Sequence, residues 1–104
     1  MMYIVSVTVD SDRAAEWEAW MRAHRVQDVL ATGCFVHATM VRDEGADRDG
    51  QCAYRVAYVA PDEATFRRYQ ADHAAALQHD HTQRFDGCVS ASREKLPVIQ
   101  TYLT

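Results

Sequence analysis

The chain has 104 residues, a formal net charge of −4 and a hydrophobic content of 48%, which are typical of one globular domain. The lack of a basic surplus argues against nucleic-acid binding, and no apolar run approaches the ~18 residues that a membrane span needs. Cys34, Cys52 and Cys88 are far apart and odd in number, which favours free thiols in a reducing cytoplasm. We therefore expect residues 1–104 to form a single cytoplasmic domain without a membrane partner.

The first half of the chain predicts a strand, a helix and a second strand. Residues 2–9 alternate between a fully apolar face and a mixed face, which is typical of a strand. The polar residues 10–12 can cap a helix that runs to about His24 and resumes as far as Ala31. Residues 34–42 are rich in side chains that favour strands, so a second strand is expected there.

The second half repeats this plan after a loop. Residues 43–50 are acidic and contain two glycines, which predicts a solvated connection. Residues 51–60 predict a strand, 62–81 a helix and 88–94 a last strand, and the tail 98–104 has some β character. The order βαββαβ predicts the ferredoxin-like α+β fold, in which two helices cover one face of a four-stranded antiparallel sheet.

The strands are apolar on both of their alternating faces. Phe35 and Val41 lie on one alternation of the second strand, whereas Val36 and Met40 lie on the other. Because the helices of this fold can cover only one face of the sheet, the opposite face needs another cover. A second copy of the chain is the simplest one, which predicts a homodimer.

Three sequence blocks resemble a family of short bacterial proteins catalogued as a domain of unknown function. They are Trp-x-x-Trp-Met-x-x-His at 17–24, Asp-Val-Leu-Ala-Thr-Gly-Cys-Phe at 28–35, and Leu-x-x-x-His-Thr-x-Arg-Phe-x-Gly at 77–87. The resemblance implies a ferredoxin-like subunit of a dimeric α+β barrel. Cofactor-free monooxygenases, muconolactone isomerases and haem-degrading enzymes share that architecture, which does not by itself transfer an activity. The chain departs from the family pattern at 25–28, where Arg-Val-Gln-Asp replaces an expected His-Ile-Pro-Asp.

Two histidines are the candidate catalytic residues. His24 continues the spacing of Trp17 and Met21, so a regular helix would place all three on one inward face. His73 lies on the apolar stripe of the second predicted helix. A histidine in such a stripe titrates near neutrality and can transfer a proton beside a bound substrate. The alternative is a buried structural histidine.

Aromatic and polar side chains on the same elements are the candidate ligand-binding residues. If the second helix is continuous, His81 lies two turns beyond His73 on the same side. Neighbouring His79 and His81 diverge on a helix, so no metal site is expected, and no ligand set for a cofactor is recognised. The candidate ligand-binding set is Trp17, Trp20, Tyr54, Tyr58, Tyr69, His81 and Arg84. The alternative for Tyr54 and Tyr58 is the dimer interface, because the sequence does not fix which face of the strand they occupy.

Two functions remain open on the sequence. The first is a cofactor-free enzyme of monooxygenase or isomerase type that acts on a small hydrophobic substrate bound between helices and sheet. The second is a non-catalytic dimeric module, structural or ligand-sensing, in which every aromatic side chain and histidine serves packing. A cavity lined by His24 and His73 would favour the enzyme, whereas a filled core would favour the module.

Overall fold

The computed structural model describes all 104 residues, Met1–Thr104. It has the ferredoxin-like α+β fold that the sequence predicts. None of its helices has the length and hydropathy needed to cross a membrane. The elements in chain order are β1 (Met2–Asp10), α1 (Ala14–Trp20), a π turn (Met21–Arg25), α2 (Val26–Ala31), β2 (His37–Arg42), β3 (Gln51–Val59), α3 (Glu63–Asp72), α4 (Ala74–Arg84) and β4 (Val89–Leu96).

The four strands form one antiparallel sheet in the order β2-β3-β1-β4. Tyr3 of β1 lies opposite Tyr58 of β3 on one side and Lys95 of β4 on the other. Because side chains alternate along a strand, Tyr3 and Val7 share one face and pack beneath the helices. Both are buried, so this face of the sheet forms one wall of the core.

The first helical crossover contains an extra residue. α1 and α2 form one continuous helix that is widened at the π turn. Trp20 is buried beside a row of four buried residues, Trp17, Met21, Arg25 and Val29. Their four-residue spacing exceeds the α-helical period of 3.6, because a π turn accommodates one more residue. The inward position therefore falls to Arg25 and His24 is exposed. The expectation that His24 lies on the inward face is wrong for this reason.

The second crossover is broken rather than widened. The Asp62 carboxylate caps α3 by accepting a hydrogen bond from the Thr65 N–H at 2.7 Å. At His73 the backbone leaves helical geometry, with φ −128° and ψ −35°, and α4 then starts at Ala74. The single helix predicted over 62–81 is therefore two helices. The predicted alignment of His73 with His81 on one side is wrong because the break lies between them.

Two predicted strand segments are irregular. Residues 34–36 precede β2 without strand structure, because Gly33 turns the chain at φ 76° and the Phe35 side chain packs into the core. The tail 97–104 has no regular structure, and Ile99 in it is 99% exposed. The β character expected for this tail is absent.

The outer face of the sheet is mixed in character. By strand alternation, Ile4, Val41 and Leu96 lie on this face together with the polar Ser6 and Thr39. Val41 and Leu96 are 46% and 44% exposed. The outer face therefore offers apolar side chains to a partner, although it is less apolar than the sequence alone suggests.

Candidate functional site

A cavity of about 50 Å³ lies between the helices and the sheet, and we call it the central cavity. Nine of its 13 lining residues are hydrophobic, which suits an apolar ligand. Four polar side chains also line it, and they come from the π turn, α4 and β4. The lining residues are Tyr3, Val5, Val7, Met21, Arg25, Val29, Val56, Tyr58, Tyr69, Leu77, Gln78, His81 and Arg93.

His81 lines the central cavity and is fixed by a tryptophan. The Trp17 indole Nε1–H donates a hydrogen bond to His81 Nε2 at 2.9 Å. An indole N–H can only donate, so Nε2 must be the unprotonated nitrogen of the ring. The proton of the neutral imidazole therefore lies on Nδ1, which makes no hydrogen bond within the chain. His81 can offer this Nδ1–H to a ligand.

The electrostatic environment keeps His81 uncharged. Burial, together with the positive charges of Arg25 and Arg93, lowers the pKa of His81 to about 4, and Asp80 opposes the shift. At neutral pH the ring is neutral, in agreement with the hydrogen bond that Nε2 accepts. A histidine with this pKa is a weak general base, so its main capacity is to donate a hydrogen bond.

Three tyrosines line the cavity, two from the sheet and one from α3. Burial raises the pKa of Tyr3, Tyr58 and Tyr69, in the last case to about 12, so all three phenols stay protonated at neutral pH. The Tyr3 and Tyr58 rings lie 6.1 Å apart, and those of Tyr3 and Tyr69 lie 6.0 Å apart, measured between centroids. The hydroxyl groups of Tyr58 and Tyr69 make no hydrogen bond within the chain. They are therefore available as donors to a ligand.

Arg25 brings a fixed positive charge to the cavity. It is only 4% exposed, and its Nη2 contacts Asp80 Oδ2 at 2.7 Å. Its Cζ lies 4.9 Å from the centroid of the Trp20 ring, a cation–π contact. Nε and Nη1 of Arg25 are buried without any hydrogen-bond partner.

The predicted tryptophans lie behind the cavity wall. Trp17 is fully buried and packs on Tyr54 with ring centroids 4.6 Å apart, besides bonding His81. Trp20 is 8% exposed, and its ring supports Arg25 on the cavity side. Neither lines the cavity, so both act on it through His81 and Arg25.

Of the other predicted ligand-binding residues, two line the cavity wall and two lie elsewhere. Tyr58 and Tyr69 line the cavity. The Tyr54 hydroxyl instead donates to Glu18 at 3.1 Å. Arg84 is exposed, and its guanidinium lies 5.6 Å from the Trp20 ring centroid on the outside of the protein.

The predicted catalytic pair is not assembled. His24 is exposed, and His73 lies half-buried at the break between α3 and α4, with its ring 6.3 Å from that of Tyr69. Neither histidine lines the central cavity. The histidine that does so is His81, from the ligand-binding set.

Ten of the 13 lining residues were not among the predicted site residues, and four of these ten carry polar groups. Tyr3 and Arg93 belong to strand alternations that face the helices, and such alternation is readable in β1 but not in the mostly polar β4. Gln78 follows Leu77 on α4, and no sequence pattern marks it as a site residue. Arg25 faces inward only because of the π turn, which the residue pattern does not reveal.

A family match places the chain among known sequences. Residues 1–99 match a family described as a domain of unknown function, DUF4286. The chain belongs to this family. A comparison with functionally curated proteins finds no match.

Solved structures confirm the fold of this DUF4286 chain. SnoaB, a cofactor-independent oxygenase from Streptomyces nogalater, is 24% identical with a TM-score of 0.62, and the match covers 96% of this chain and 94% of SnoaB. HapK from Hahella chejuensis is 16% identical with a TM-score of 0.66, over 100% and 99% of the two chains. A dimeric ferredoxin-like protein from an uncultured marine organism is 6% identical with a TM-score of 0.61, over 100% of both chains. Identities this low show a common fold and no more.

Proposed function

We propose that the protein binds a small hydrophobic molecule in the central cavity and acts on it as a cofactor-free enzyme of monooxygenase or isomerase type. The observation that carries this proposal is the combination of an apolar cavity with donors that have no protein partner. His81 Nδ1–H and the Tyr58 and Tyr69 hydroxyl groups all belong to residues that line this space. The likeness to the oxygenase SnoaB supports the reaction type.

The donors suit a substrate on which negative charge develops at oxygen. A ketone with an acidic neighbouring C–H gives an enolate when it loses that proton to a bound water molecule, and an enolate can rearrange or react with dioxygen. Oxidation of such a CH₂ group by O₂ yields C=O and water. Neutral donors in a water-poor site stabilise the enolate oxygen as its charge forms. The three donors would therefore lower the barrier to enolate formation.

The size of the cavity sets a condition on binding. About 50 Å³ holds a few water molecules, at roughly 10–15 Å³ for each. A ring-sized substrate must therefore displace side chains at the rim. Leu77 and Gln78 are half-buried there, and Met21 is a flexible side chain in the wall, so these three are the residues that we expect to move.

A cavity-filling variant tests the location of the site. With 2-tetralone as a neutral enolisable probe, we expect calorimetry to detect binding to the wild type. Leu77→Trp should abolish it because the larger ring fills the cavity. Leu30→Trp is the matched control, since Leu30 is also half-buried but does not line the cavity. Equal binding by both variants would contradict the proposed site.

Turnover separates the enzyme from a ligand-sensing module. The module is favoured by one observation, namely that no carboxylate lines the cavity and that the low pKa of His81 makes it a weak base. An oxygen electrode and mass spectrometry of the 2-tetralone mixture decide between the two functions. Oxygen uptake above the rate without protein, or isomerised product, supports the enzyme, and binding without either supports the module.

We further propose that two copies pair through the outer faces of their sheets. The exposed Val41 and Leu96 and the dimeric ferredoxin-like relative support this. Light scattering should give about twice the chain mass. Val41→Asp should shift the mass toward the monomer, whereas Ala71→Asp, on the exposed side of α3, should leave it unchanged. A stable monomer in the wild type would refute the pairing.

A further inference from the structure

Arg25 has an unusual hydrogen-bonding state for a buried arginine. A guanidinium has five N–H donors, and the structure supplies one partner, Asp80 Oδ2 at 2.7 Å. Nε and Nη1 are buried without a partner, although an unpaired buried donor costs free energy. The Asp80 side chain is itself 64% exposed, so this ion pair is also partly solvated from outside. Most of the bonding capacity of Arg25 is therefore unused in the protein alone.

The residue that carries these donors belongs to the lining of the central cavity. Arg25 lines the cavity, and its charge acts on His81, Tyr58 and Tyr69 within it. The Trp20 ring covers one face of the guanidinium at 4.9 Å. Such stacking fixes the plane of the guanidinium and leaves its edges for a partner.

The charged residues around the cavity have a net charge that one anion would neutralise. Arg25 and Arg93 are the cationic residues of the lining, and Asp80 offsets one of these charges. Arg93 makes no ion pair with the chain, and His81 is neutral. The balance is one positive charge, which matches a monoanion better than a phosphate ester of nearly two negative charges.

We propose that the ligand of the central cavity carries a carboxylate, which binds the unpaired N–H donors of Arg25 while its hydrocarbon part occupies the apolar lining. This rests on the proposed function, since it names the class of molecule bound at the same site. A guanidinium and a carboxylate match in shape and charge, and hydrogen bonds between ions are stronger than those between neutral groups.

Asp80 gives the proposal a sharp test, because it competes with the ligand for the same guanidinium. Asp80→Asn removes the competing charge and should tighten carboxylate binding several-fold. Arg25→Gln removes the receptor and should weaken it by about tenfold to a hundredfold, the range for hydrogen bonds to charged groups. A merely structural ion pair would make both variants weaker binders, so the opposite signs identify recognition.

The probes are benzoate and octanoate, each compared with its primary amide by calorimetry. The wild type should bind the carboxylates more tightly than the amides, and Arg25→Gln should remove that difference. Arg22→Gln and Glu63→Gln are matched controls from exposed ion pairs and should change nothing. In ¹⁵N-labelled protein, the Arg25 Nε–H resonance should shift with benzoate and not with benzamide. This readout, together with Asp80→Asn, decides the question even if Arg25→Gln unfolds.

The outcomes separate this inference from the proposed function. Equal binding of acids and amides would overturn the carboxylate inference while the hydrophobic site remains. Failure of both carboxylates to bind would also overturn it, whether or not 2-tetralone binds. Failure of 2-tetralone alone, with tight and Arg25-dependent binding of benzoate, would overturn only the neutral-ketone chemistry.

Discussion

The two helical crossovers are both interrupted near the middle, but in different ways. In the first, the π turn at Met21–Arg25 keeps one continuous helix and rotates its inward face by inserting a residue. In the second, the break at His73 ends one helix, and another starts at Ala74. The first interruption brings an arginine into the core, and the second leaves a histidine half-buried at the junction.

The comparison shows that the kind of interruption decides which polar group reaches the cavity. A π turn costs helical regularity and exchanges one inward residue for its neighbour, here Arg25 for His24. A break does not exchange one inward residue for its neighbour, because the two helices on either side of it are oriented independently about their axes. α4 therefore presents His81 to the cavity independently of the position of His73.

The largest effect should come from the tryptophan that ties the two crossovers together. Trp17 is fully buried and bonds His81, so Trp17→Ala should cost about 3–5 kcal/mol of unfolding free energy. Trp20→Ala should cost less, since Trp20 keeps 8% exposure and packs partly under arginine side chains. Urea denaturation of both variants measures the difference. Equal losses would mean that the bond to His81 adds nothing.

Deleting one residue from the π turn tests whether it contains an extra residue, and a deletion in the regular helix α3 is the comparison. Deletion of Ala23 from the π turn restores a regular helix in which Arg25 and Val29 lie three and seven positions after Met21 and still face inward. We expect unfolding free energy within about 1 kcal/mol of the wild type. Deletion of the exposed Gln70 from the regular α3 should cost more, because it rotates the residues that follow. Similar losses in both deletion variants would contradict the assignment of an extra residue to the π turn.

The pH dependence of stability should reveal His81. Its pKa is about 4 in the folded protein against about 6.5 when unfolded, so between these values the unfolded chain binds more protons. Stability from this source is therefore complete above pH 6.5 and is lost as the pH falls toward 4. His81→Gln keeps an oxygen to accept from Trp17 but cannot titrate, so its melting temperature should fall less over this range. If the melting temperatures of the wild type and the variant fall equally over this pH range, the His81 side chain is exposed to solvent rather than buried.

The smallest effect should be at His24. Because its side chain is exposed, His24→Asn should change the unfolding free energy by no more than about 0.5 kcal/mol and leave 2-tetralone binding intact. Thermal melts and calorimetry check both expectations. A loss of binding with normal stability would restore the catalytic role that the sequence predicts and would mean that the π turn does not persist in solution.

The sequence was sufficient for the fold because the fold depends on periodicity. Alternation in residues 2–9 and 51–60 and the apolar stripe that includes Phe66 and Tyr69 each predict an element that the structure contains. The interruptions were not predictable in this way. No proline or glycine marks the π turn or the break at His73, so the residue pattern gives no signal for either.

The site was predictable only in part, and for the same reason. Tyr58, Tyr69 and His81 lie on regular elements and line the cavity. The sequence does not set the strand phase that turns Tyr58 inward, and the continuous helix expected to carry His81 is interrupted at His73. His24 and Arg25 are neighbours, and one extra residue decides which of them is buried. A histidine can transfer protons, whereas an arginine carries a fixed positive charge. A one-residue change in the helix therefore changes the kind of ligand that the site suits.

The central position of β1 in the sheet also bears on how the chain folds. β1 pairs with β3 and β4, so Met2 lies opposite both Val59 and Leu96. These contacts span most of the chain, and contacts between distant residues slow folding because long loops must close first. During synthesis, which proceeds from the N-terminus, β1 emerges before either of its partner strands exists. The sheet can therefore be completed only after β4 has been made, and until then one edge of β1 lacks its strand partner.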